Sequence, residues 1–117
     1  MMLALSGNTR IFAFSEPTDM RKGFNGLSGL VSEHFNVELL SGHMFLFCNR
    51  RGDRIKLLYW DQDGLAIWYK RLESGSYQLP KVDPQSNTLE MDQTQLSLLL
   101  SGIDLASVKQ RKRYRVA

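Results

Sequence analysis

One cysteine, Cys48, is the entire thiol content, so no intrachain disulfide can form. Two histidines, His34 and His43, add too few ligands for a Cys-rich zinc centre. No apolar run approaches the roughly 20 residues that a membrane span needs. Met1 to Gly7 is mildly apolar but lacks a positive flank and a long apolar stretch, so it does not read as a signal peptide. Nothing asks for export, and the cytoplasm is the default localisation. Internal repeats, low-complexity tracts and an interdomain linker are also missing. What remains is 117 residues, 43% hydrophobic and 23% charged. That suits one domain with a packed core.

The net charge is +3, and its placement matters more than its size. Residues 1–104 carry fewer basic than acidic side chains. Beyond them come Lys109, Arg111, Lys112, Arg113 and Arg115 with no acid. The expected organisation is a single domain over 1–104 and a basic C-terminal arm over 105–117, whose composition allows disorder. A folded body with a basic arm recurs among nucleic-acid binders, and a solvated tail that aids solubility is the plainer alternative.

Arg10 to Phe14 reads as a strand ended by Pro17. Asp19 is placed to cap a helix with Met20, Phe24, Leu27, Leu30, Val31 and His34 or Phe35 on its buried face. Gly23, Gly26 and Gly29 each cost that helix about 1 kcal/mol relative to Ala, a cost usually offset by close packing on another backbone. A phosphate-cradling loop would need a strand running straight into it and a Lys-Ser/Thr ending, and both are absent. His43–Asn49, Arg54–Trp60 and Leu65–Leu72 read as three antiparallel strands. Arg50-Arg51-Gly52-Asp53 and Asp61-Gln62-Asp63-Gly64 separate them as turns. Both faces of this meander carry large apolar groups, so both should be covered. Ser76–Leu79 and Thr88–Met91 are further strand candidates. Asp92 and Gln95 form a capping box for a second helix, with Met91 and Leu96 as its hydrophobic staple. Leu96, Leu99, Leu100 and Ile103 form its stripe, and Gly102 its stop. The fold class is α+β: an antiparallel meander of about four to six strands with two helices packed on it.

Chemistry has few places to reside. Asp61 and Asp63 share one turn and are weak metal candidates, because Asp is an ordinary turn residue and two-metal nucleases set their acids on rigid elements. His34 and His43 have no partner at metal-ligand spacing, and Cys48 reads as a small apolar strand residue. No catalytic residue, cofactor or metal site is expected. The basic groups say more. Arg21 and Lys22 would fall in the first turn of the first helix, against its dipole but favourable for an anion. Arg50, Arg51, Arg54 and Lys56 surround one hairpin, and Lys70 and Arg71 end the next strand. Tyr59, Trp60, Trp68 and Tyr69 lie close in sequence. Basic groups beside exposed rings suit single-stranded or distorted nucleic acid, while rings in the core would not.

The strings Pro17-Thr18-Asp19-Met20-Arg21-Lys22-Gly23-Phe24, Gly42-His43-Met44-Phe45, Arg50-Arg51-Gly52-Asp53-Arg54-Ile55-Lys56, Trp60-Asp61-Gln62-Asp63-Gly64 and Tyr69-Lys70-Arg71-Leu72-Glu73 occur in that order. Together they resemble the TnpB-type accessory protein (second reading frame, Orf2-like) of the insertion-sequence group numbered sixty-six. The resemblance spans Arg10 to Asp104 and is distinct from the RNA-guided nuclease that shares the TnpB label. It implies a non-enzymatic accessory to transposition, working beside a separate transposase that holds the catalytic acids. It brings no catalytic residue to this chain. The implied nucleic-acid contacts are Arg21, Lys22, Arg50, Arg51, Arg54, Lys56, Lys70 and Arg71; the arm adds Lys109, Arg111, Lys112, Arg113 and Arg115 on charge alone. The expected partners are DNA at the element ends, the transposase and a second copy of the chain through a sheet edge. Competing readings are a module that docks on the transposase without DNA, and a metal-dependent nuclease using Asp61 and Asp63. If the arm contacts about five phosphates, log affinity for DNA should fall with log salt at a slope near −4.5 from the arm alone. Truncation after Asp104 should remove that component in a salt titration of DNA binding.

Overall fold

The computed structural model describes residues 6–79, 85–104 and 109–110. Pro80, residues 81–84, and most of the basic arm, including Arg111, Lys112, Arg113 and Arg115, lie outside the described residues.

Five strands form the main sheet: β1 Ile11–Phe14, β2 Met44–Cys48, β3 Arg54–Asp61, β4 Gly64–Arg71 and β5 Thr88–Met91. Their spatial order is β4-β3-β2-β1-β5. β2, β3 and β4 make the expected antiparallel meander, and β5 runs antiparallel to β1. The pairing of β1 with β2 is parallel, Ile11 opposite Met44. This departs from an all-antiparallel sheet, and its cause is the intervening helix α1, Phe24–His34. Parallel neighbours need such a crossover, because a tight turn cannot bring the chain back to the same end. The fold is α+β.

The two central strands are buried along their whole length. Alternation along them divides the core into two halves. Phe12, Phe14, Phe45, Phe47 and Leu58 face α1, which contributes Leu27, Val31 and the following Phe35. Ile11, Ala13, Met44, Leu46, Ile55 and Leu57 face α2, Gln93–Leu100, which contributes Leu96 and Leu99. Fully burying each such aliphatic side chain is worth about 1.5–3 kcal/mol. With a helix on each face, the central strands read as nearly continuous apolar runs.

The first helix begins later than its sequence pattern predicts. Phe24, not Met20, opens α1, Gly23 precedes it without a side-chain cap, and Arg21 and Lys22 lie in the turn before it. The glycine repeat does not reflect packing on a neighbouring backbone either. A Cβ at Gly23 or Gly29 would meet nothing, while one at Gly26 would press on the Lys22 side chain at 3.1 Å. Ser76–Leu79 forms no strand; Tyr77 is buried in the α2-side core and its N–H donates to the Gly52 carbonyl at 2.7 Å. Ile103 lies past α2, in a short strand β6 (Ile103–Asp104) whose backbone pairs with β7 (Lys109–Gln110), inside the predicted arm.

The second helix matches its sequence signature. Asp92 Oδ1 accepts from the Gln95 N–H at 2.7 Å, and Gln95 Oε1 accepts from the Asp92 N–H at 3.0 Å. Gly102, at φ +95°, ends it in the left-handed region. Because this box closes the helix that covers one face of the sheet, Asp92→Ala is expected to lower unfolding stability by about 1 kcal/mol, read by chemical denaturation of the full chain.

Candidate nucleic-acid interface

Parallel β1 and β2 end together, at Phe14 and Cys48. β3 starts and β4 ends at that same end of the sheet, where Arg54 lies opposite Arg71. Three loops therefore meet there. The Thr18 N–H donates to the Cys48 carbonyl at 2.8 Å, and the Leu72 N–H to the Asp53 carbonyl at 2.7 Å. Lys56 adds a side-chain tie. Its Nζ donates to the carbonyls of Met20 at 2.7 Å and Lys22 at 2.8 Å. The ammonium also lies 4.7 Å from the centroid of the Tyr69 ring. Lys56 is only 8% exposed, so this charge is held by carbonyls and an aromatic face rather than by water. It ties that loop to the sheet.

Between the loops lies an open cleft of about 600 Å³. Pro17 to Arg21 form one side; Asn49, Arg50, Arg51 and Arg54 form the other. Asp19 does not cap a helix. It accepts from the Arg21 N–H at 2.9 Å and pairs with the Arg21 guanidinium at 2.7 Å. The Arg21 side chain is nevertheless 92% exposed. The hydrogen bonds from Arg21, side chain first and backbone second, hold the Asp19 carboxyl down at about 2. Across the cleft, Asn49 Oδ1 accepts from the Arg54 N–H at 3.0 Å, while Asn49 Nδ2 donates to Asp53 Oδ1 at 2.7 Å. That amide bond, then the nearby Arg51 and Arg54 charges, keep the Asp53 carboxyl below its ordinary value. Gly52 has φ +77°, and a Cβ there would stand 3.3 Å from Ser76 Cβ, so the turn needs glycine. The acids at this end thus brace the turns that present the arginines.

Arg50 and Arg51 are exposed and make no side-chain hydrogen bond within the described residues. Arg54 Nη1 donates to the Tyr69 hydroxyl at 3.3 Å, and Arg71 pairs with Glu73 at 2.9 Å. Lys22 is exposed beside Gly26. Lys70 is exposed too, but strand alternation turns it to the opposite face from Tyr69 and Arg71. Of the four neighbouring rings, Tyr69 is the exposed one; Tyr59 and Trp68 pack on the α2-side core and Trp60 is half-buried.

Other sequence candidates lie elsewhere. Asp61 and Asp63 occupy the β3–β4 turn at the far end of β3, about 23 Å from Arg54 along the strand. Among the described residues, no group of three or more His, Cys, Asp or Glu stands where it could hold a metal ion. His34 Nδ1 meets Asn87 Nδ2 at 2.9 Å beside the Phe14 ring, and His43 Nδ1 accepts from the Arg10 N–H at 2.9 Å. Burial pushes the Cys48 thiol up to about 11, which leaves it unreactive at neutral pH. Arg10 is absorbed by a bidentate pair with Glu90 at that far end.

Sequence reasoning missed Thr18 and Asn49 as cleft residues, although Thr18 stands inside the first shared string and Asn49 immediately precedes the third. Thr18 is 4% exposed, and its Oγ1 has no hydrogen-bond partner among the described residues. A buried hydroxyl left in that state costs roughly 1–3 kcal/mol.

The fold and the cleft define a small α+β protein that gathers arginines at one end of a doubly covered sheet. Residues 9–110 match the family described as IS66 Orf2 like protein. Two relatives from Sinorhizobium fredii (strain NBRC 101917 / NGR234) match along most of their length. "Uncharacterized protein y4jC" is 36% identical over 110 residues, covering 94% of this chain and 92% of its own. "Uncharacterized protein y4hO" is 35% identical over 103 residues, covering 88% of each. No solved structure matches the chain. The chain belongs to the IS66 Orf2-like family, and is thus an insertion-sequence accessory protein. No helix among the described residues is long and apolar enough to cross a membrane.

The Asp19–Arg21 clamp has a pH signature. Because the folded carboxyl titrates below its ordinary value, the clamp is intact at neutral pH and is lost as pH falls toward about 2. An NMR titration of the side-chain carboxyl should find the Asp19 midpoint there, and in Arg21→Ala it should return toward 3.8.

Proposed function

We propose that this accessory protein binds DNA without cutting it and helps assemble the transposition complex at the element ends. The observation that carries the reading is convergence. Two of the shared strings, Pro17–Phe24 and Arg50–Lys56, are separated by the crossover helix and strand β2, yet they form the two sides of one arginine-lined cleft. Of the acids within them, Asp19 holds Arg21 and Asp53 holds Asn49, whose Oδ1 accepts from the Arg54 N–H. Guanidiniums presented in this way suit phosphate oxygens, which accept bidentate hydrogen bonds. Such contacts hold a protein on DNA with little base readout. Arg21, Lys22, Arg50, Arg51 and Arg54 are the central contacts in this reading. Arg71, Lys70 and the basic residues of the arm extend it, and Lys56 supports the cleft from within.

A second reading draws on exposed apolar groups. Phe24 at the start of α1 is 49% exposed, and Leu40 lies on a 3-10 turn with a similarly open side chain. Either would suit docking on the separate transposase, and a homodimer through a sheet edge would draw on β4 or β5.

Binding of the full chain to labelled element-end DNA and to random DNA tests the first reading. Arg50→Glu with Arg51→Glu should weaken binding at least about tenfold near 0.1 M salt and reduce the salt slope by about 2, with thermal unfolding unchanged because both side chains are exposed. Absence of DNA binding at low salt, together with capture of the transposase in nuclease-treated solution, would replace it with the second.

A further inference from the structure

One hydroxyl of the cleft has no partner among the described residues. Thr18 lines the cleft, its N–H is fixed to the Cys48 carbonyl, and its Oγ1 is buried without a partner among the described residues. A hydroxyl proton rotates freely and donates readily to an anionic oxygen. Arg50 and Arg51, which line the same cleft, are exposed and make no side-chain hydrogen bond among the described residues. All three residues line one cleft, and each offers donors suited to a phosphate oxygen.

The rim adds a second feature. Tyr69 is 48% exposed, whereas the sheet's phenylalanines are buried and the neighbouring Tyr59 and Trp68 pack on the α2-side core. It is held in place, with its hydroxyl on Arg54 of the cleft and the Lys56 ammonium against the ring. Duplex DNA keeps its base faces stacked inside and offers a ring nothing to stack on. An unpaired strand presents a base face beside each phosphate.

We propose that the cleft receives a backbone phosphate of an unpaired DNA strand, with Thr18, Arg50 and Arg51 donating to it and an adjacent base stacked on Tyr69. This rests on the DNA-binding reading above and narrows it to a strand form.

The test is fluorescence anisotropy of the full chain with a labelled short oligothymidylate and with the oligoadenylate–oligothymidylate duplex of equal length. The single strand should bind at least about tenfold tighter. Thr18→Val keeps the shape and removes the hydroxyl. It should weaken single-strand binding about tenfold while unfolding stability stays equal or rises, since the hydroxyl has no partner among the described residues. Tyr69→Leu should lose about tenfold on the single strand and little on the duplex, and Tyr69→Phe should retain binding. Equal affinity for the two forms, or single-strand binding untouched by Thr18→Val or by Tyr69→Leu, overturns this assignment and leaves DNA binding standing. Failure to bind either form at low salt overturns both.

Discussion

A buried ammonium, that of Lys56, couples the rigid sheet to the loop that makes half of the cleft. Its bonds to the carbonyls of Met20 and Lys22 fix a segment that belongs to neither β1 nor α1. Besides that tie, the segment is held by Met20 packed on the α1-side core and by buried Thr18, whose N–H donates to the Cys48 carbonyl. The charge is tolerated because two carbonyls and the Tyr69 ring replace water around it. The same residue therefore fixes the Pro17–Arg21 side of the cleft and supports the ring at its rim. A cation in the core is usually a cost, and here it is the means by which sequence-distant segments acquire a shared geometry.

The sheet makes this arrangement available. A crossover through α1 brings β1 and β2 in parallel, so the ends of two strands open on one side. In an all-antiparallel sheet of the same strands, Thr18 would emerge away from Asn49. The helix on each face then buries the central strands and leaves the polar loops at the two ends of the sheet.

Much of the architecture was legible in the residues. The β2–β4 meander followed from alternating apolar positions and turn residues, and α2 from its capping box, because both are local patterns. The parallel pairing was missed when short strands were read as one meander, although a helix between two strands was itself the sign of a crossover. The start of α1 was misread for a chemical reason: Asp19 accepts from a backbone N–H two residues on, as Asx turns do, and the same side chain serves equally as a helix cap. At the site, the arginines were visible as residue types, but their convergence was not, since it depends on strand order. Alternation assigned Lys56 to a face, yet nothing local showed that a loop would cover it. Tyr69 shares the edge strand β4 with Trp68, and nothing local separates the exposed ring from the one packed on the core.

The distribution of charge along β3 has a further consequence. Arginines crowd its first residue, while its last is Asp61 with Asp63 just beyond, so the body carries opposite poles about 23 Å apart despite a small net charge. Such a body is not electrically neutral in orientation. In the field of a polyanion it experiences a torque that turns the arginine end inward and the Asp61–Asp63 turn outward. A polyanion approaching this body would be repelled at the Asp61–Asp63 turn and attracted at the arginine end, so orientation would be selected before contact.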